Sequence, residues 1–241
     1  MSRSDADITL QREYYRQTAA GYDEAHVKTG DEHYFALSFM LGVLDGFGIQ
    51  SVLDVGSGTG RVPQRIKQLR PDIHMVGIEP VDEMRAIGHA AGLSPDTLIP
   101  GDVMNLQFPD CAFDLVCAFG VLHHVPRPQV AVSEMLRVAR KAVFISDSNN
   151  FAQGGPAKRA AKFLLRRLRL WPLAVLFKTR GKGYTLSPGD GLAFSYSVFG
   201  NYSQLEKVCD RIHVMNTRGD GRDAEHRAGH VALLGLKSHH S

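Results

Sequence analysis

The stretch that most constrains this chain is "SVLDVGSGTGRV", Ser51 to Val62. Val52, Leu53 and Val55 surround one acid, Asp54, and the run then breaks into glycines at 56, 58 and 60. A short apolar run that stops at alternate glycines reads as a buried strand feeding a tight turn. Glycine lets backbone approach a ligand with no Cβ in the way, and a helix starting at the turn aims its free N–H groups at that ligand. The dinucleotide fingerprint spaces its glycines G-x-G-x-x-G. Here the spacing is G-x-G-x-G, with Arg61 in place of the third glycine. That argues against NAD and leaves a dehydrogenase as the weaker option.

Strands and helices alternate on either side of the loop. Apolar runs at 73–78, 113–119 and 142–146 predict further strands, with a short one at 97–100. Segments 61–70, 82–91 and 129–139 carry helical apolar spacing, and the first is stopped by Pro71. Such alternation predicts a parallel sheet with helices on both faces. In the last third, 202–209 predicts a short helix, and 211–217 and 230–237 predict an antiparallel pair of strands closing the sheet across a polar loop at 218–229. Segment 148–201 breaks the alternation.

A second and third site narrow the ligand. Glu79 ends the second strand 19 residues after Gly60, where an acid binds ribose hydroxyls. "GDV" (101–103) follows the third strand; its aspartate can accept from an exocyclic adenine amine while Val103 packs the ring.

With "VLDVGSGTG" (52–60), "GIEP" (77–80), "GDVMNLQFPDCAFDLVCAFGVLHHV" (101–125) and "EMLRVARKAVFISD" (134–147), the chain resembles the class I S-adenosylmethionine-dependent methyltransferases. The likeness is to the small-molecule branch typified by the ubiquinone and menaquinone biosynthesis methyltransferases, and it covers Tyr14 to Asp147. The resemblance implies a Rossmann-like α/β fold. Its seven-stranded, mostly parallel sheet has helices on both faces, an antiparallel last strand and a helical insertion after strand 5. It implies S-adenosylmethionine as cofactor. Asp54, Gly56, Ser57 and Gly58 would face its methionine portion, and Glu79 its ribose. Pro80 and Met84 would lie near the adenosine, Asp102 and Val103 would hold the adenine, and Phe119 would line the floor. In "YYRQTAAGYD" Tyr22 would close over the cofactor. The family's usual Pro-Gly-Gly turn before the fifth strand is shortened here to "ARKAV".

Methyl transfer requires acceptor, methyl and sulfur in line, water excluded, and a base where the acceptor carries a proton. "GVLHHVPRP" places His123 and His124 just after the fourth strand, and imidazole titrates near neutral pH. These are the candidate catalytic bases, His124 ahead of His123; the competing reading makes one of them structural. Tyr184, Tyr196, Phe199 and Tyr202, in and before "GDGLAFSYSVFGNYS", are either acceptor-pocket residues or core. No metal site is expected; His226 and His230 only flank the tail loop.

Residues 151–189 contain nine basic residues and no acid. In "AKRAAKFLLRRLRLWPLAVLF" Ala161, Leu164, Leu165 and Leu168 recur at helical spacing against a basic face. Three readings stand open for this segment, which the family topology sets over the acceptor site as a lid. It is a solvated basic face, a surface for an anionic acceptor reached by Arg180 and Lys182, or an interfacial helix pair that meets anionic membrane. No RNA-binding module and no amine-methylating "N/D-P-P-Y" signature is present, which argues against nucleic acid; "SDSN" (146–149) stands in that region.

The 241 residues suit one domain. It divides into an N-terminal helical cap (1–45), a cofactor-binding core (51–147), a basic lid (148–201) and a C-terminal helix with two strands (202–241). Cys111, Cys117 and Cys209 match no zinc spacing and suit free thiols in a reducing compartment. No leader or membrane-spanning run is expected, hence a cytoplasmic protein. The expected activity is methylation of an O or N atom on a small-molecule or glycan-type acceptor, including anionic ones. The alternative is a non-catalytic S-adenosylmethionine-binding partner or regulatory protein of the same fold.

Overall fold

The computed structural model describes residues 3–28, 30–218 and 223–238, so part of the polar tail loop lies outside the described residues. In chain order the elements are α1 (Arg3–Thr18), α2 (Tyr22–His26), α3 (Glu32–Val43), β1 (Ser51–Val55), α4 (Arg61–Leu69), β2 (His74–Ile78), α5 (Asp82–Ala90), β3 (Leu98–Ile99), β4 (Phe113–Phe119), α6 (Pro128–Val138) and β5 (Ala139–Ser148). There follow α7 (Pro156–Arg167), α8 (Trp171–Lys178), β6 (Tyr184–Ser187), β7 (Gly191–Phe194), α9 (Tyr202–Glu206), β8 (Cys209–Arg218), α10 (Ala224–Arg227) and β9 (His230–Lys237).

Seven strands form one sheet in the order β3-β2-β1-β4-β5-β9-β8. The first five are parallel, and β9 runs antiparallel to both β5 and β8. The central strands read as apolar runs because both of their faces are covered. Leu53, Val116, Val143 and Leu233 face a core shared with α6 and α9; Val52, Leu115, Phe144 and Leu234 face α3 and α4. Strand order reverses between β1 and β4, and ligands of open α/β sheets settle at the carboxyl ends of the strands at such a point.

Local signals explain the boundaries. Asp31 caps α3, accepting from Tyr34 N at 2.6 Å. Asp82 and Glu83 fill the first turn of α5, where the helix dipole favours acids, and Pro128 starts α6. α6 hands over to β5 with no turn at all, at Val138 and Ala139, which is what the shortened "ARKAV" connection becomes.

Two features differ from the sequence reading. A second sheet, the hairpin β6–β7, pairs Tyr184 with Phe194 and Ser187 with Gly191, and it docks on α1. Tyr14 Oη donates to Pro188 O at 2.6 Å, Leu192 N donates to Gln11 Oε1 at 2.5 Å, and a Cβ on Gly191 would meet the Tyr14 ring at 2.5 Å. The second difference is the orientation of α7. Its half-buried face holds Lys162, Phe163, Leu165 and Arg166, while Ala161, Leu164 and, just past the helix, Leu168 face solvent. Phe163 stacks on Phe151 and His226, and Arg166 lies over the Phe151 ring and pairs with Glu225. Aromatic and cation–π contacts hold Phe163 and Arg166 down, so Leu164 and Leu168 turn out.

Candidate active site

The loop after β1 builds the first half of the site. Gly56 and Gly58 take φ of +70° and +57°, and a Cβ on Gly56 would lie 2.5 Å from Val121. Glu79, at the end of β2, is buried beneath this loop: Oε2 accepts from Gly58 N at 3.1 Å and Oε1 from Val81 N at 2.9 Å. Burial pushes its carboxyl above the usual range, and the two N–H groups only partly offset that. Asp54 is also buried. It accepts from Ser57 Oγ at 2.6 Å and lies 3.5 Å from Cys117 Sγ, and burial raises its pKa to about 7. Arg61 sends its guanidinium outward to both carboxylate oxygens of Asp31 at 3.1 and 2.9 Å, pinning the α2–α3 connection over the loop.

A cleft lined by Tyr22, Gly56, Gly58, Glu79, Pro80, Met84, Asp102, Val103 and Phe119 joins the loop to the ends of β2 and β4. The candidate cofactor residues therefore converge, with Asp54 and Ser57 on the adjoining cavity wall. Asp102 accepts from Met104 N at 2.8 Å and pairs with Arg12 of α1 at 2.7 Å. Arg12, Gln11 and Tyr15 complete the wall from α1 and were not foreseen from the sequence.

The second half of the site is a cluster of histidines and carboxylates. His123 and His124 sit on a 3₁₀ turn after β4, their rings 3.9 Å apart. Asp147, near the end of β5 and fully enclosed, lies 2.7 Å from His123 Nδ1 and accepts from Leu122 N at 2.8 Å. Asp190, at the hairpin tip, places one oxygen 3.5 Å from His123 Nε2 and the other 3.4 Å from His124 Nε2. Burial alone would lower the His123 pKa. The Asp147 carboxylate, with Asp190, outweighs burial and raises it to about 10. Both carboxylates are held well below their usual range by the same imidazolium, against the opposing effect of burial.

His124 behaves oppositely. Burial and the charge on His123 lower its pKa, so it is neutral at pH 7. Its Nδ1 lies 2.6 Å from Leu192 O, a group that only accepts, so the proton is assigned to Nδ1; Gln11 Nε2, 3.0 Å from the same nitrogen, donates to Asp190 O at 3.4 Å. Nε2 is then the unprotonated nitrogen, accepting from Tyr15 Oη at 2.9 Å, with an Asp190 oxygen 3.4 Å away. The two adjacent histidines thus differ: one is held as a cation, the other is neutral.

A cavity of about 780 Å³ opens beside this cluster, lined among others by Asp31, Glu32, His33, Arg61, Arg218 and His230. Three of its four carboxylates are met by cations: Asp31 by Arg61, Glu32 by Arg218 at 3.1 Å, Asp190 by His123. His33 Nδ1 is buried here with no hydrogen-bond partner among the described residues. Of the other candidates, Tyr184 lines a groove running from His123 and Asp190 to α8. Tyr196 lies in the core, donating to Asn201 Oδ1 at 3.0 Å, and Tyr202 packs against that core with Phe199. Arg180 and Lys182 are exposed beyond α8, and neither lines that groove or the cavity.

Residues 53–145 match the family described as a methyltransferase domain. Over these residues the chain carries an S-adenosylmethionine-dependent methyltransferase domain. It is 33% identical over 132 residues to a phosphatidylethanolamine N-methyltransferase of Cereibacter sphaeroides, a match covering 48% of this chain and 58% of that one. It is 35% identical over 92 residues to an uncharacterized methyltransferase of Mycobacterium marinum, covering 38% and 35%. The chain thus spans little more than half of the first relative and about a third of the second. Among solved structures, magnesium protoporphyrin IX methyltransferase of Synechocystis with bound S-adenosylhomocysteine superposes with a TM-score of 0.60 at 15% identity, covering 96% of this chain and 100% of that one. A methyltransferase of Thermotoga maritima gives 0.59 at 18% identity, covering 95% and 100%. Both likenesses are of fold.

The residues of this methyltransferase domain fit the cofactor of its class. Gly58 leaves an open cradle, since a Cβ there would only touch Met84 and Tyr22 at 3.5 and 3.7 Å. Glu79 is a buried carboxylate with lone pairs to spare, the acceptor a ribose diol needs. Asp102 offers a carboxylate where an adenine amine can donate.

Proposed function

We propose that this protein is an S-adenosylmethionine-dependent methyltransferase acting on an N or O nucleophile of a polar acceptor, with His124 as the base. The observation that carries this is the junction of the glycine–Glu79 cradle with a neutral His124 that opens onto the 780 Å³ cavity. The cofactor supplies an electrophilic methyl group. Glu79, Asp102 and Val103 bind and orient it, while Tyr15, Tyr22 and α1 close the site from water.

His124 Nε2 takes the acceptor proton, and Leu192 O, already accepting from Nδ1–H, stabilises the imidazolium that results. His123, held as a cation between Asp147 and Asp190, does not serve as the base at neutral pH; it fixes the hairpin over the site. Asp31, Glu32 and Asp190 are each paired with a cation in the cavity, and Lys28 also lines it. The likeness to the phosphatidylethanolamine enzyme supports an amine acceptor.

The test is transfer of labelled methyl from S-adenosylmethionine to panels of amines and hydroxyl compounds. Label should enter at least one panel member and fall on the order of 10²–10⁴-fold in His124→Ala. Cofactor binding without transfer to any acceptor in either panel would favour the non-catalytic reading.

A further inference from the structure

The α7–α8 pair shows a solvent-facing apolar surface. Leu164 and Leu168 on one side and Leu173, Leu176 and Phe177 on the other are all exposed, Phe177 by 90% and Leu173 by 62%. On α8 the positions 173, 176 and 177 share one face, while Ala174, Val175 and Lys178 line the groove that runs back to His123 and Asp190. Around the leucines stand the exposed bases Lys158, Arg167, Arg169, Lys178, Arg180 and Lys182, in a stretch of 39 residues, 151–189, with no acid. The inner faces are occupied by Phe151, Phe163 and Trp171, so the outward turn of the leucines is a built arrangement.

We infer that this face is a docking surface for an anionic phospholipid bilayer. An apolar stripe with a wholly basic rim matches a negative surface over hydrocarbon: the leucines and Phe177 enter the acyl boundary and the lysines and arginines meet headgroup phosphates. Such a composition does not match a second copy of this chain, because the rim would then face its own charge across the contact. Docked this way, the groove opens beside the membrane surface. Among the described residues no helix is long and apolar enough to cross a membrane, so the contact is peripheral. The inference is independent of the methyl-transfer proposal, and its test needs no cofactor.

The experiment is co-sedimentation of the full chain with phosphatidylcholine vesicles, with and without phosphatidylglycerol. Wild type should bind the anionic vesicles at least about tenfold more tightly than the neutral ones, and added salt should weaken that binding. The double variant Leu173→Glu/Phe177→Glu, at exposed positions, should lose at least about tenfold in binding with an unchanged circular dichroism spectrum. Lys158→Gln/Arg167→Gln/Arg169→Gln should lose the preference for anionic lipid; if the glutamate variant unfolds, this one carries the test. Equal binding to both vesicles, no binding, or binding indifferent to the substitutions overturns the proposal. So does self-association in sedimentation velocity that Leu173→Glu/Phe177→Glu abolishes without any vesicle binding.

Discussion

Asp147 Oδ1 lies 2.7 Å from His123 Nδ1, and the carboxylate is sealed from solvent. Removing one partner of a buried ion pair leaves the other charge uncompensated and typically costs about 3–5 kcal/mol. Asp147→Asn should therefore lower the melting temperature markedly, and calorimetric unfolding measures it. An unchanged melting temperature would show that the pair does not hold the β4 turn.

The pH dependence of stability has two opposite limbs. The folded pKa of His123 is raised to about 10, above its unfolded value, so its stabilisation is complete below about 6.5 and is lost as pH rises through 10. His230 is lowered to about 3, first by burial and then by His33. Between about 6.5 and 3 the unfolded chain binds a proton that the folded chain refuses, so stability falls as pH drops through that window. Melting temperature against pH should peak near neutrality, and His230→Gln should flatten the acid limb alone.

Glu79 joins the cradle to the cofactor pocket. Glu79→Ala strips the acceptor from Gly58 N and Val81 N and should weaken S-adenosylhomocysteine binding by about 10–100-fold, given about 1.5–3 kcal/mol for hydrogen bonds to a charged group. Isothermal titration reads this directly. Loss of less than about threefold would remove Glu79 from the site.

Arg12 holds Asp102 through a pair whose side chains are 40% and 36% exposed. Such a pair is worth at most about 1 kcal/mol. If it competes with adenine for the carboxylate, Arg12→Ala should tighten cofactor binding by no more than about fivefold. Weakened binding instead would make Arg12 a contact of the ligand.

The core was legible because its strands are buried on both faces: Ser51–Val55, Phe113–Phe119 and His230–Lys237 are apolar runs that few other structures accommodate. The convergence of Gly56, Gly58, Glu79 and Asp102 on one cleft was legible because glycine spacing and strand-end acids carry their own physical reason. The hairpin was not, since Thr185, Leu186 and Ser187 are exposed and its position depends on Gln11 and Tyr14, far away in the chain. Asp190 was hidden with it. Asp147 was visible as an acid near the end of a strand, yet its partner could be named only in three dimensions. The outward face of α7 was left open for a related reason: leucine spacing gives a stripe but not its direction, and Phe163 and Arg166 decide that by packing on Phe151.

The central claim is that the cradle binds a methyl donor. Calorimetric titration of the full chain with S-adenosylmethionine, S-adenosylhomocysteine and NAD tests it most directly. One molecule of either adenosyl compound should bind per chain, with NAD giving no heat above dilution. Binding of NAD alone, or of none of the three, would contradict the account.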